Sequence, residues 1–203
     1  MSNNSSRVFT VREQLKNIYR GAKGFVLLRT SRKKRIMNKM FKERIMLAIT
    51  EVNGCTMCSY VHTKIALSSG MSKDDILKIL DGDSSNIPVN EAVAIIFGQN
   101  FAYSKENPGE EAIDRLIEDY GFEKSNLILA ACNMITMTNG MGTSMDFFYN
   151  RLRFKRNKKS NLIIEILNPL LTMLLFPFFT LYFYVFHFFA NIQIIKQKKL
   201  IVE

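Results

Sequence analysis

Two hundred and three residues give room for one well-cored domain with an appendage, or for two small domains. The chain has no Trp, four Pro and much Met, Leu, Ile and Phe, a mixture that suits a helical protein better than a sheet sandwich. Three cysteines are too few for a disulfide framework, and the net charge of +10 conceals a partition that argues against nucleic acid.

Residues 1–44 carry 13 Lys and Arg against 2 Asp and Glu, residues 45–150 carry 6 against 14, and residues 151–203 carry 9 against 2. A nucleic-acid binder needs a basic face on a folded domain, whereas here an acidic body lies between basic ends. Basic segments beside an apolar tail fit an anionic membrane surface better. The first seventeen residues have no apolar core after their first charges, so no signal peptide is expected and the body is expected to be cytoplasmic.

In chain order, residues 1–8 read as a disordered lead. Helical character follows from Val11 to about Leu28, with a break near Gly21 and Gly24. Arg29 to Arg35 is a basic turn or helix start. A helix is expected from about Lys34 to Asn53, because Ile45, Ala48, Ile49 and Val52 recur at three- and four-residue steps. Gly54 supplies its stop, since glycine accepts the left-handed conformation at a helix C-terminus. The next helix starts at the cysteines and ends near Ser69. Ser72 to Asp75 is a capping-box pattern for a short helix to about Leu80.

After a polar loop, Pro88 suits a first helical turn, and Val89 to Ser104 follow with Ala92, Val93, Ile96 and Phe101 expected inside. Asn107-Pro108 reads as the start of a helix closed by Gly121. Residues 123–149 continue helically with an interruption near Gly140 and Gly142. No strand-type alternation persists, so the body is expected to be all-α. Residues 151–159 hold six basic side chains, and no charged residue occurs from Ile166 to Ile195, a length that suffices to cross a bilayer. Pro169 and Pro177 are expected to kink that segment, and a hairpin turning at Pro177 or a buried oligomerisation arm are the other readings.

The chemistry concentrates at Cys55-Thr56-Met57-Cys58 and His62. On a helix, Cys55, Cys58, His62 and Ile65 fall along one stripe facing the core. Three residues separate the sulfurs by about one turn, close enough for a dithiol to close if the first lies at the helix start. The positive helix end favours a thiolate there, and His62 lies one turn beyond Cys58. That set reads as redox chemistry, as three ligands of a metal site lacking an obvious fourth, or as a structural pair. Cys132, in a Met-rich segment, reads as a buried structural thiol.

The stretch from Glu43 through Gly70, with both cysteines, His62, Ala66 and Met71-Ser72, resembles the carboxymuconolactone decarboxylase/alkylhydroperoxidase D-like family. Glu43 stands twelve residues before Cys55, as in that family's signature. The resemblance covers roughly residues 35–155, between a basic helical lead at 1–34 and a basic linker with an apolar segment at 156–203. It implies an alkylhydroperoxidase D-like helical domain in a homo-oligomer, commonly a trimer or hexamer. It implies a thiol-dependent peroxidase or disulfide reductase, a peroxiredoxin-type antioxidant with no cofactor and no metal. Cys58 would attack a hydroperoxide or disulfide, Cys55 would resolve it, and Glu43 with His62 would relay the proton. The electron donor would be a lipoyl group, a thioredoxin-like protein or a small thiol. Alkylhydroperoxidase D has a histidine between its cysteines where this chain has Met57, so a relay step through that position is lost. Two alternatives are a non-catalytic membrane scaffold of the same fold and a Cys/Cys/His metal-binding protein. Membrane association is expected through residues 162–195.

Overall fold

A computed structural model describes residues 6–83 and 85–202, with side-chain surroundings described as far as His187. Among the described residues there are seven α-helices, two short 3-10 turns and no strand. The helices are α1 (Val11–Thr30), α2 (Lys39–Asn53), α3 (Thr56–Ser68), α4 (Lys73–Leu80), α5 (Ala92–Tyr103), α6 (Glu110–Leu152) and α7 (Leu162–Val202). The fold is all-α, as the composition implied.

The helix ends follow local chemistry. Thr10 and Glu13 form a capping box at the start of α1, and Asn38 and Ser72 cap α2 and α4 through their side chains. Gly54 closes α2 at φ 65°, a conformation that suits a residue without Cβ. The long helix α6 is broken at Gly121, whose φ of 71° and ψ of 162° are non-helical. Its stretch beyond Gly121 is the centre of the body. One side of α6 packs on α2, α3 and α5, and the other on α1 and α7. Ile45, Ile49, Ile95, Ile128, Cys132 and Ile135 are fully buried between these layers.

Several expectations need correction. The glycine pairs at 21/24 and 140/142 do not interrupt their helices, which run unbroken through both. They mark close approach instead. A Cβ on Gly24 would sit 2.5 Å from the Ala130 carbonyl oxygen, and one on Gly21 would sit 2.7 Å from Met137. Gly24→Ala is therefore expected to lower the unfolding free energy by roughly 1–3 kcal/mol, although alanine surpasses glycine by roughly 1 kcal/mol in an open helix. A urea midpoint that stays put or rises would contradict this.

The helix expected at Asn107-Pro108 starts later, at Glu110 after Gly109. The Asn100 amide donates to the Pro108 carbonyl at 3.1 Å, which holds the preceding residues as a loop. Ile96 faces outward at 60 % exposure, and Ala92 and Val93 are only half-buried. The inner side of α5 is Ala94, Ile95, Phe97 and Phe101. The lead expected to be disordered is ordered from residue 6 to 8, while residues 1–5 lie outside the described residues. Arg7 binds both carboxylate oxygens of Glu106, at 2.6 and 3.2 Å, and its backbone N–H donates to Asn53. Phe9 is fully buried next to it.

The apolar C-terminal segment is one helix. It continues through both Pro169 and Pro177, so no hairpin turns at Pro177. Leu162 to His187 is long and apolar enough to cross a membrane. The side chains of Lys196, Lys198 and Lys199, expected to close the segment, lie outside the described ones.

Candidate redox site

Only Gly54 and Cys55 separate α2 from α3, so the two helices form a tight hairpin. The hairpin brings Glu43, eleven residues before Gly54, back alongside the middle of α3. There Glu43 Oε2 lies 2.7 Å from His62 Nδ1, and Glu43 Oε1 lies 3.5 Å from Lys42 Nζ. The carboxylate is almost fully buried, while the imidazole keeps one side open, with 13 % of its side chain exposed. An ionised carboxylate can only accept, so the proton of a neutral imidazole belongs on Nδ1 and leaves the Nε2 lone pair free.

Cys55 is the N-cap of α3, and its Sγ accepts the Cys58 N–H at 3.3 Å. A sulfur stands where serine or aspartate commonly caps a helix, at the positive end of thirteen residues of aligned peptide dipoles. Cys55 and Cys58 are joined as a disulfide, with Cα atoms 5.3 Å apart. Cys55 is 1 % exposed and Cys58 7 %, so the pair lies just beneath the surface, with Cys58 the more open. A cleft of about 440 Å³, lined by Glu51, Thr56, Ser59, Tyr60 and Asp81, opens onto Cys55.

The roof over the sulfurs comes from α6. Cys58 Sγ lies 3.5 Å from the Thr138 carbonyl oxygen. A Cβ on Gly142 would come within 2.6 Å of Cys55 Sγ and 2.9 Å of Cys58 Sγ, with the Met57 methyl 3.9 Å away. Thr56 Oγ1 donates to Asp146 and ties the first turn of α3 to the same helix. Thr50 and Asn139 pair at 3.2 Å one layer deeper. Sequence reasoning missed Gly142, Thr138 and Asp146. The glycine pair at 140 and 142 stands in the sequence, but its residues alone do not tell a glycine that makes room from one that ends a helix.

The four residues singled out from the sequence thus fall into two contacts, Glu43 with His62 and Cys55 with Cys58. No hydrogen bond joins the imidazole to either sulfur, and helical spacing alone places His62 one turn beyond Cys58. The expected inner stripe holds for both cysteines, while His62 and Ile65 are half-buried and Ala66 is the fully buried residue further along. Cys132 is apart from the site, and burial raises its thiol pKa well above the ordinary value, which keeps it inert. Among the described residues no group of three His, Cys, Asp or Glu side chains is placed to hold a metal ion.

Searches among curated proteins and among solved structures give no match to the chain. Residues 32–93 match the model of the Carboxymuconolactone decarboxylase family, and the matched segment holds Glu43, both cysteines and His62.

Proposed function

We propose that the protein is a dithiol oxidoreductase, a thiol-dependent peroxidase or disulfide reductase that cycles Cys55 and Cys58. The observation that carries this reading is the closed Cys55–Cys58 pair at the start of α3, one turn from an imidazole held by a buried carboxylate. In the peroxidase form, the Cys58 thiolate attacks the distal oxygen of a hydroperoxide. The O–O bond breaks, Cys58 becomes the sulfenic acid, and the alkoxide takes a proton from the His62 imidazolium to leave as an alcohol. The Cys55 thiol then attacks the sulfenic sulfur, the S–S bond forms and water leaves. A dithiol donor, lipoyl or thioredoxin-like, reduces the disulfide by exchange and restores both thiols.

The carboxylate orients the imidazole, and the imidazole handles the proton of the thiol, which is the division of labour that activated nucleophiles require. Lactone decarboxylation is a poor inheritance, because the decarboxylase branch lacks the dithiol. We further propose that the body is cytoplasmic and held at a membrane through residues 162–195, where the uncharged face of α7 supports the association.

The test begins with fully reduced protein and a slight excess of an alkyl hydroperoxide. Mass spectrometry after trapping is expected to find Cys55 and Cys58 joined and Cys132 still a free thiol. Peroxide consumption should stop in Cys58→Ser. Equal consumption by Cys58→Ser, or no Cys55–Cys58 disulfide in the native protein, would sink the proposal. The near-complete cover of the sulfur pair favours a second reading, a non-catalytic scaffold of the same fold. Wild-type cellular function retained in Cys58→Ser would favour that reading.

A further inference from the structure

The first three turns of α7 bury polar side chains, its later turns pack Phe176, Phe179 and Phe183 against α1, and its outer side is apolar along its length. Toward the body, Arg151 binds buried Glu165 through two bonds of 2.5 and 2.7 Å. Asn168 donates to the Phe9 carbonyl at 2.9 Å and to Ser144 Oγ at 3.1 Å. Gln14 donates to Thr172 at 2.8 Å. Away from the body, Ile163, Ile166, Met173, Leu174, Phe178 and Leu181 are between 45 % and 71 % exposed. A helix on a water-soluble domain has the opposite arrangement. Something apolar covers this face.

The first helix decides what does. Contacts pair Phe9 with Asn168, Gln14 with Thr172, and Tyr19 with Phe179 and Phe183, so α1 and α7 point the same way from their N-terminal ends, while the ring of Phe25 reaches back to Phe176. Arg12, Lys16, Arg20 and Lys23 are exposed on α1, at steps of four, four and three. On a helical wheel they follow directly after Tyr19, the residue whose ring lies against α7. None of the four has a carboxylate partner among the described residues. The linker before α7 adds exposed Arg153, Lys155, Arg156, Lys158 and Lys159.

Twenty-six helical residues from Leu162 to His187 measure roughly 39 Å, enough to cross a hydrocarbon core of about 30 Å. Standing α7 upright would carry α1 with it, because the Gln14 and Asn168 bonds fasten the two together. The four α1 cations would then lie at hydrocarbon depth, where charged side chains are strongly disfavoured. Laid flat, the same pair of helices puts the apolar face of α7 among the acyl chains and the cations of α1 at headgroup level.

We infer that α7 does not span the membrane over residues 162–187 but lies in its plane, as a monotopic face for an anionic lipid surface flanked by the basic stripe of α1. This rests on the membrane association proposed above and is independent of the redox reading.

The chain has no Trp, so a single introduced one reports without background. Ile166→Trp, Met173→Trp and Leu181→Trp proteins are bound to vesicles of phosphatidylcholine containing one third phosphatidylglycerol. Lipids brominated at different acyl depths then quench each Trp. The expected result is one shared shallow depth for all three positions. Vesicle affinity should be about a hundredfold higher with phosphatidylglycerol than with phosphatidylcholine alone, and the triple variant Arg12→Glu, Lys16→Glu, Lys23→Glu should lose most of that gain while keeping its helical circular dichroism. Depths that differ among the three positions, with Met173→Trp the deepest, overturn the in-plane seating and leave membrane association standing. Absence of vesicle binding, with the Trp residues buried in an oligomer detected by sedimentation, overturns both.

Discussion

A Gly142→Ala protein is expected to hold its dithiol open. The added methyl would fall 2.6 Å from one sulfur and 2.9 Å from the other, closer than real Cβ contacts allow, and both sulfurs lie in a packed interior. The reduced thiols can rotate away from each other and from the methyl, whereas the closed pair has no such freedom. The cost therefore falls mainly on the disulfide. Overpacking of this kind costs about 1–3 kcal/mol, which corresponds to a shift of roughly 5- to 150-fold toward the dithiol. Equilibration against a dithiothreitol redox buffer, followed by alkylation and mass spectrometry, measures that ratio. An equilibrium unchanged from the native protein would mean that α6 does not roof the pair.

The second large effect is expected at Glu43. Glu43→Gln preserves volume but replaces an acceptor that fixes the proton on Nδ1 with an amide that can donate to it. The tautomer is then no longer fixed, and whenever the amide donates to Nδ1 the proton sits on Nε2 and the lone pair that would serve Cys58 is gone. Oxidation of the dithiol by hydroperoxide should slow by about 10²–10³-fold at neutral pH, the usual range for losing a positioned base. The deficit should narrow as pH rises beyond the ordinary thiol pKa of about 8.5, because the thiolate then forms without help. Stopped-flow rates across that range test both statements. A deficit of the same size at every pH would indicate structural damage in place of a lost base.

Much of this architecture is legible in the residues because it is decided locally. The cap chemistry of Gly54 and Ser72, the apolar steps of Ile45 and Ile49, and the break at Gly121 all depend on neighbours within one turn. His62 was legible through its spacing to the cysteines and Glu43 through the family resemblance alone, and the two-residue hairpin between α2 and α3 brings them into contact. What failed was decided at a distance. Gly24 and Gly142 have ordinary helical backbones, and their purpose is the space they leave for Ala130 and for the sulfurs. Nothing local separates a glycine needed for room from one that ends a helix. Ile96 was misplaced because α5 is apolar on nearly every side, so periodicity does not single out a face. The Arg7–Glu106 pair joins residues 99 positions apart, and composition alone made that lead look free.

The pairing of the first helix with the last imposes an order on how the protein comes into being. Ala22 and Val26 are covered by Phe183, and the Phe9 carbonyl is bonded by Asn168. The apolar side of α1 thus leaves the ribosome long before its partner does. At about 5–20 residues per second, roughly ten to thirty seconds pass between them. Throughout that interval α1 presents an uncovered apolar flank and the α6 face behind it lacks its outer layer. Closure of the body is a late event, set by a contact between distant parts of the chain, which is the slowest kind to form.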